Sequence, residues 1–167
     1  MTESSYKPLN LEFVEIEPIH GDDLAVFLEE NDVPAVTGTF NPFPMSAESA
    51  RKIAHLPRQD RYYGALMANR IIGLSMLRGW DEGYVVPSFG IIVDYRYHSL
   101  GVGSRLLEYT IRQAQALSCS QIRLTVYSSN SPAVHLYRSR GFIEQTRESV
   151  NLMGKPDEKI VMVLPLQ

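Results

Sequence analysis

The chain has 167 residues, 44% of them hydrophobic and 21% charged, which excludes a disordered tail and gives enough material for one domain with a full core. Its formal net charge of −3 argues against a nucleic-acid partner, which calls for a basic face.

Residues 9–16 alternate apolar and acidic side chains and predict a first strand, ended by Pro18. Asp22 is placed to cap a helix holding Leu24, Ala25, Phe27 and Leu28. A loop of turn formers runs through Gly38, Asn41, Pro42 and Pro44. Ser46, with Glu48 in the following turn, starts a helix that stops near Pro57. Residues 62–68 and 70–78 predict two strands joined at Asn69, and Trp80-Asp81-Glu82-Gly83 a turn. Residues 85–93 predict another strand, with Pro87 at a bulge or unpaired edge.

The Leu100-Gly101-Val102-Gly103 turn leads into a helix over residues 104–117, with Leu106, Leu107, Thr110, Ile111 and Ala114 on one face. Residues 122–127 predict a strand and 132–139 a short helix, with Pro132 tolerated in its first turn. Residues 142–152 and 159–164 predict two strands around a turn at 154–157. The order β-α-α-β-β-β-α-β-α-β-β, without repeats, makes residues 1–167 one mixed α/β domain.

Two strand-to-helix junctions carry chemistry. At the first, Gly101 and Gly103 open a helix, where unpaired amides and the helix dipole favour a diphosphate. Residues 100–105 are the donors: Leu100, Gly101, Val102, Gly103, Ser104 with an added hydroxyl, and Arg105 with an added charge. The turn alone fits equally well a helix packed on a sheet, and it lacks the third glycine of a dinucleotide fold. At the second, Asn130, Ala133, Leu136, Tyr137, Gly141 and Phe142 follow the strand Ile122-Arg123-Leu124-Thr125-Val126-Tyr127.

Together the two junctions resemble the GNAT N-acetyltransferase superfamily, whose members move an acetyl group from acetyl-CoA to an amine. The resemblance rests on Val93 followed eight residues later by Gly101 and on N-x-x-A-x-x-L-Y-x-x-x-G-F over residues 130–142. It implies an α/β (α+β) fold: a twisted, mostly antiparallel sheet of about seven strands flanked by about four helices, with two splayed central strands. Acetyl-CoA is then the co-substrate, pantetheine pairs with the strand before the glycine turn, and no metal is needed. The resemblance assigns Tyr137 to the departing thiolate, Asn130 and Ala133 to the pantetheine arm, and an amide of Ile91, Ile92 or Val93 to the acetyl oxygen. His98 stands where the family has Gln or Arg, and Tyr95 where many members have Pro. His98 and Ser99 still flank the phosphates, and Arg96 offers a positive charge.

Many of the family's ribosomal-protein members carry a glutamate where this chain has Thr125. A water chain, Asp81 or Glu82 must then serve as base, with Ser88 ordering a water. The acceptor wall is expected from the loop at 33–45, the turn at 80–84 and the turn at 154–158, with Phe40, Phe43, Trp80 and Tyr84 as lining aromatics. A small-molecule amine is the expected acceptor. The alternatives are a protein or peptide N-terminus or lysine, and a non-catalytic acyl-CoA-binding regulatory domain.

His20, His55 and His135 have no metal-ligand spacing. Arg138 and Arg140 form a solvated face or reach the CoA 3′-phosphate. One cysteine, Cys119, allows no internal disulfide, and no apolar run or leader-like start points to a membrane, so the expected location is the cytoplasm. Pairing of terminal strands in a homodimer is a family-level expectation.

Overall fold

The computed structural model describes residues 7–166. Its strands are β1 (Glu12–Glu15), β2 (Arg61–Met67), β3 (Arg70–Arg78), β4 (Ser88–Val93), β5 (Gln121–Tyr127), β6 (Ile143–Leu152) and β7 (Lys155–Pro165). Its α-helices are α1 (Gly21–Glu30), α2 (Pro34–Thr37), α3 (Ala47–His55), α4 (Val102–Ala116) and α5 (Ser131–Ser139). The strands form one sheet in the order β1-β2-β3-β4-β5-β7-β6. Every neighbouring pair is antiparallel except β4 and β5.

Local chemistry explains most boundaries. Ala68 (φ 49°) and Asn69 (φ 64°) make the two-residue turn that pairs Met67 with Arg70, in the left-handed conformation that matches strand twist. The hydroxyl of Ser46 accepts the Ser49 amide at 3.2 Å and starts α3, as expected. Four expectations are corrected. Helix α1 begins at Gly21, so Asp22 lies in its first turn instead of capping it. The loop after it contains α2, which Pro34 initiates. Strand β4 begins only at Ser88, because Pro87 lacks an amide to pair; its carbonyl still accepts the Arg123 amide at 3.0 Å. The last hairpin turns on Met153 and Gly154 alone, so Lys155, Pro156 and Asp157 belong to β7.

Strand β3 is buried from Ile71 to Leu77, because helices cover both faces of the sheet. Leu74 and Met76 pack with Leu24, Phe27 and Leu28 of α1 and Ala50 and Ile53 of α3. Leu77 faces the other way, into a cluster with Leu107 of α4, Val134 and Tyr137 of α5, and Phe89.

The parallel neighbours β4 and β5 pair only at Ser88 and Arg123. Beyond that bridge they diverge toward their C-terminal ends, leaving a wedge between Val93 and Tyr127. The starts of α4 and α5 follow those two strands. Among the described residues, no helix is long and apolar enough to cross a membrane.

Candidate active site

The wedge holds a cavity of about 400 Å³. Its lining joins four segments that are remote in sequence, the first being Ala35, Val36, Thr39 and Phe40 of α2 and the loop after it. Ile91, Ile92 and Val93 come from β4. His98, Ser99, Gly101, Val102, Gly103 and Ser104 come from the turn into α4. Asn130, Ala133 and Tyr137 come from α5 and the residue before it.

Backbone direction decides which β4 amides face the wedge. The Asp94 amide donates to Ile72 of β3 at 2.9 Å. Strand alternation then turns Ile92 toward β3 as well, and Ile91 and Val93 toward the gap. His98 agrees, since its Nε2 donates to the Val93 carbonyl at 2.8 Å from the gap side. The free amides on this strand are therefore those of Ile91 and Val93, and the Ile92 amide is excluded as a donor.

The glycine turn is shaped by its backbone. Gly101 has φ 82° and stands just before α4, in the left-handed region that glycine enters without strain. A Cβ at Gly103 would meet Val93 Cγ2 at 3.6 Å and Ile91 Cδ1 at 4.0 Å, both ordinary contacts. Packing of the protein alone thus does not demand glycine there, whereas a diphosphate lying on the first-turn amides would. Those amides, at Val102, Gly103 and Ser104, have no acceptor within the helix. Asp94 and Asn31, both buried, fasten the turn to α1. Asn31 Nδ2 donates to Asp94 at 3.2 Å, and Asn31 Oδ1 accepts the Tyr95 amide at 3.0 Å. Burial alone would raise the Asp94 pKa; hydrogen bonds from Arg96 and Asn31 outweigh it and hold the carboxyl below its ordinary value.

Tyr137 is buried, with its ring against Phe89 (centroids 6.1 Å) and Phe142 (5.6 Å). Burial raises its pKa, so the phenol stays protonated. Asn130 precedes α5 without using its side chain as a cap, which leaves that amide to the cavity. The junction is held by Asp157, which accepts from Ser128 Oγ at 2.9 Å and Ser129 Oγ at 2.5 Å. These bonds, Ser129 foremost, lower the Asp157 pKa to about 2.

A second cavity, of about 320 Å³, adjoins the first at Phe40. Glu82, Tyr84 and Ser88, singled out in the sequence as site candidates, line it together with Met76, Arg78, Phe89, Gly90 and Thr125. Arg78 was not singled out by the sequence, although a period-2 reading of β3 sets it on the Met76 face.

Several expected residues stand elsewhere. Trp80 lies on the far side of its turn, donating from Nε1 to the Val85 carbonyl at 3.3 Å beside Cys119, and lines neither cavity. Arg96 is held away from the phosphate turn by Asp94 (2.8 Å) and Glu30 (2.5 Å). Arg105 donates to the Leu9 carbonyl at 2.6 Å and covers Phe13, so it brings no charge to the turn. Arg140 bonds Ser104 Oγ and so touches the rim of the site. Leu100 does not line the cavity. Asp81 accepts the Gln59 amide at 2.6 Å, a structural bond. The 154–158 segment is absent from the second cavity; Leu152 and Met153 instead meet Thr37 and Asn41 in a neighbouring groove. Among the described residues, no three His, Cys, Asp or Glu gather as a metal site requires.

The acetyltransferase (GNAT) family model matches residues 25–142. The chain is 35% identical over 80 residues to a ribosomal protein bS18-alanine N-acetyltransferase of Escherichia coli, covering 47% of this chain and 54% of that one. It is 40% identical over 58 residues to an L-amino acid N-acetyltransferase of Escherichia coli, covering 34% and 36%. The chain thus spans about half or less of these relatives' lengths. A GNAT-family acetyltransferase from Streptococcus pneumoniae shares the fold, with a TM-score of 0.76 at 23% identity over 95% of this chain and 100% of that one.

Proposed function

The chain belongs to the acetyltransferase (GNAT) family, and from that premise we propose that it transfers acetyl from acetyl-CoA to the amine of a small molecule, by direct attack with both substrates bound. The observation that carries this reading is the meeting of two cavities at Phe40, with Tyr137 lining one and Glu82 lining the other.

In this reading the CoA diphosphate lies on the amides at Val102–Ser104, and pantetheine runs along β4 past Asn130 and Ala133. The amides of Ile91 and Val93 are the donors for the acetyl oxygen as charge gathers on it, an effect commonly worth about 3 kcal/mol per donor. An alkylamine has a pKa near about 10, so it must lose a proton before attack. Glu82 takes that proton, directly or through a water held by Ser88 and Thr125. The C–N bond forms, the C–S bond breaks, and the thiolate leaves. A thiol has a pKa of about 8.5, below that of the raised Tyr137. Tyr137 therefore stabilises the thiolate chiefly by donating a hydrogen bond.

A second reading, acetylation of a protein N-terminus, is favoured by the similarity to the bS18-alanine relative. Thr125 weighs against it, because that position holds no carboxylate here. Thiol release from acetyl-CoA, screened over small amines, amino acids and short peptides, tests both. Release with small amines supports the leading reading, and release with peptides alone replaces it with the second. Acetyl-CoA binding without release over the whole panel would overturn both in favour of a binding domain.

A further inference from the structure

We propose that the acceptor carries a carboxylate beside its amine, as a free α-amino acid does, and that Arg78 is the residue that selects it. The inference rests on the acetyl-transfer reading above and names its substrate class.

Among the described residues, Arg78 and Glu82 are the only charged side chains that line the acceptor cavity; the rest of its wall is apolar, aromatic or hydroxyl-bearing. Arg78 closes β3, opposite Ser88 of β4. Its side chain is half-buried yet enters no ion pair among the described residues. What holds it is neutral: Nη1 donates to the Pro42 carbonyl at 3.4 Å, and the guanidinium covers the Phe43 ring at 5.7 Å. These contacts fix the plane of the fork while leaving most of its five N–H donors unused. A half-buried cation without an ion-pair partner favours an anionic ligand, and a guanidinium fork matches a carboxylate with two parallel hydrogen bonds.

Glu82 supplies the opposite sign. Gly79 (φ 118°) and the short turn Trp80–Glu82 bring the chain back, so that both side chains border one cavity. An α-amino acid presents its carboxylate and its amine two bonds apart, which meets this arrangement of one cation and one base. Phe40, Met76 and Tyr84 remain to receive the amino acid's side chain. A peptide N-terminus has an amide where the free acid has its carboxylate, so the same pair disfavours it. A site built to bond a charged group discriminates strongly against the analogue that lacks it.

The test compares thiol release with a free amino acid, its primary amide and the corresponding decarboxylated amine, in the wild type and in Arg78→Met and Arg78→Lys. The wild type should favour the free acid over the amide by about 10-fold or more in kcat/KM. Arg78→Met should bring that ratio near one, and Arg78→Lys should leave part of it. Unchanged acetyl-CoA affinity confirms that each variant is folded. A wild-type ratio near one, or a ratio that Arg78→Met preserves, overturns the inference while leaving acetyl transfer intact. If no acceptor releases thiol, the transfer reading fails instead, and ligand-observed NMR with the same compounds decides the site. Arg78-dependent binding of the free acid alone supports it, and equal binding of acid and amide overturns it.

Discussion

The Phe40 ring lies directly over Gly90: a Cβ built there would stand 2.5 Å from Phe40 Cζ and 3.1 Å from Met76 Cγ. Phe40 is also the side chain shared by the two cavities, so under the proposed function the missing Cβ at Gly90 would set where the two substrates meet.

Gly90→Ala should therefore displace the ring, at a cost of about 1–3 kcal/mol in stability, and should lower kcat/KM for the acceptor. Phe40→Ala in the same chain should recover part of the stability, because the clash is gone. Urea midpoints of the two single variants and the double variant give the coupling. Additive effects would show that Phe40 and Gly90 do not press on each other.

Tyr137→Phe keeps the ring against Phe89 and Phe142 and removes only the hydroxyl. Turnover should fall by about 100-fold with acetyl-CoA affinity near wild type, measured by steady-state kinetics and calorimetry. The same group predicts a pH effect on stability. Burial raises the folded pKa of Tyr137 above its unfolded value near 10, so its contribution is present below about pH 10 and is lost as pH rises toward the folded value. Alkaline denaturation should be less steep in Tyr137→Phe than in the wild type.

Asn31→Ala would leave buried Asp94 and the Tyr95 amide each short of a partner. A loss of about 1–3 kcal/mol is expected, with weaker acetyl-CoA binding because the phosphate turn is no longer fastened to α1. The Asp94 carboxyl titrates below its ordinary value, so its contribution is present above about pH 4 and is lost as pH falls through the lowered folded value. Acid unfolding followed by circular dichroism should begin at higher pH in Asn31→Ala, since one of the bonds that lower the Asp94 pKa is gone.

What the sequence made legible divides by the range of the interaction. Ser46, Asn69 and the 130–142 motif act within a few residues of themselves, and α3, the β2–β3 hairpin and α5 follow from them. The wedge was expected from resemblance alone; what creates it is the single β4–β5 bridge, a long-range relation that no local pattern encodes. Long side chains were the hardest to place. Arg96, Arg105 and Trp80 sit near the expected site in sequence, yet Glu30, the Leu9 carbonyl and the Val85 carbonyl draw them off it. Arg78 was legible from strand alternation, but only once β4 supplied Ser88 as its neighbour.

Adjacent carboxylates on one turn give the last test, because their surroundings assign them different work. Asp81 accepts the amides of Gln59 and Asp60, while Asp60 accepts those of Gly79 and Asp81. This reciprocal clamp ties the turn to the start of β2 and occupies the Asp81 oxygens. Glu82, one residue on, has no such bonds among the described residues and borders the acceptor cavity. Glu82→Gln should thus reduce kcat/KM by about 100-fold or more at nearly constant melting temperature, since it removes a base and keeps the shape. Asp81→Asn should do the reverse, costing about 1 kcal/mol of stability with a smaller kinetic effect. Glu82→Ala should regain part of its rate when formate is added, as a small carboxylate enters the vacated space. Equal kinetic losses in Asp81→Asn and Glu82→Gln, without rescue of Glu82→Ala, would mean that the turn serves the site by its shape and that a water chain removes the amine's proton.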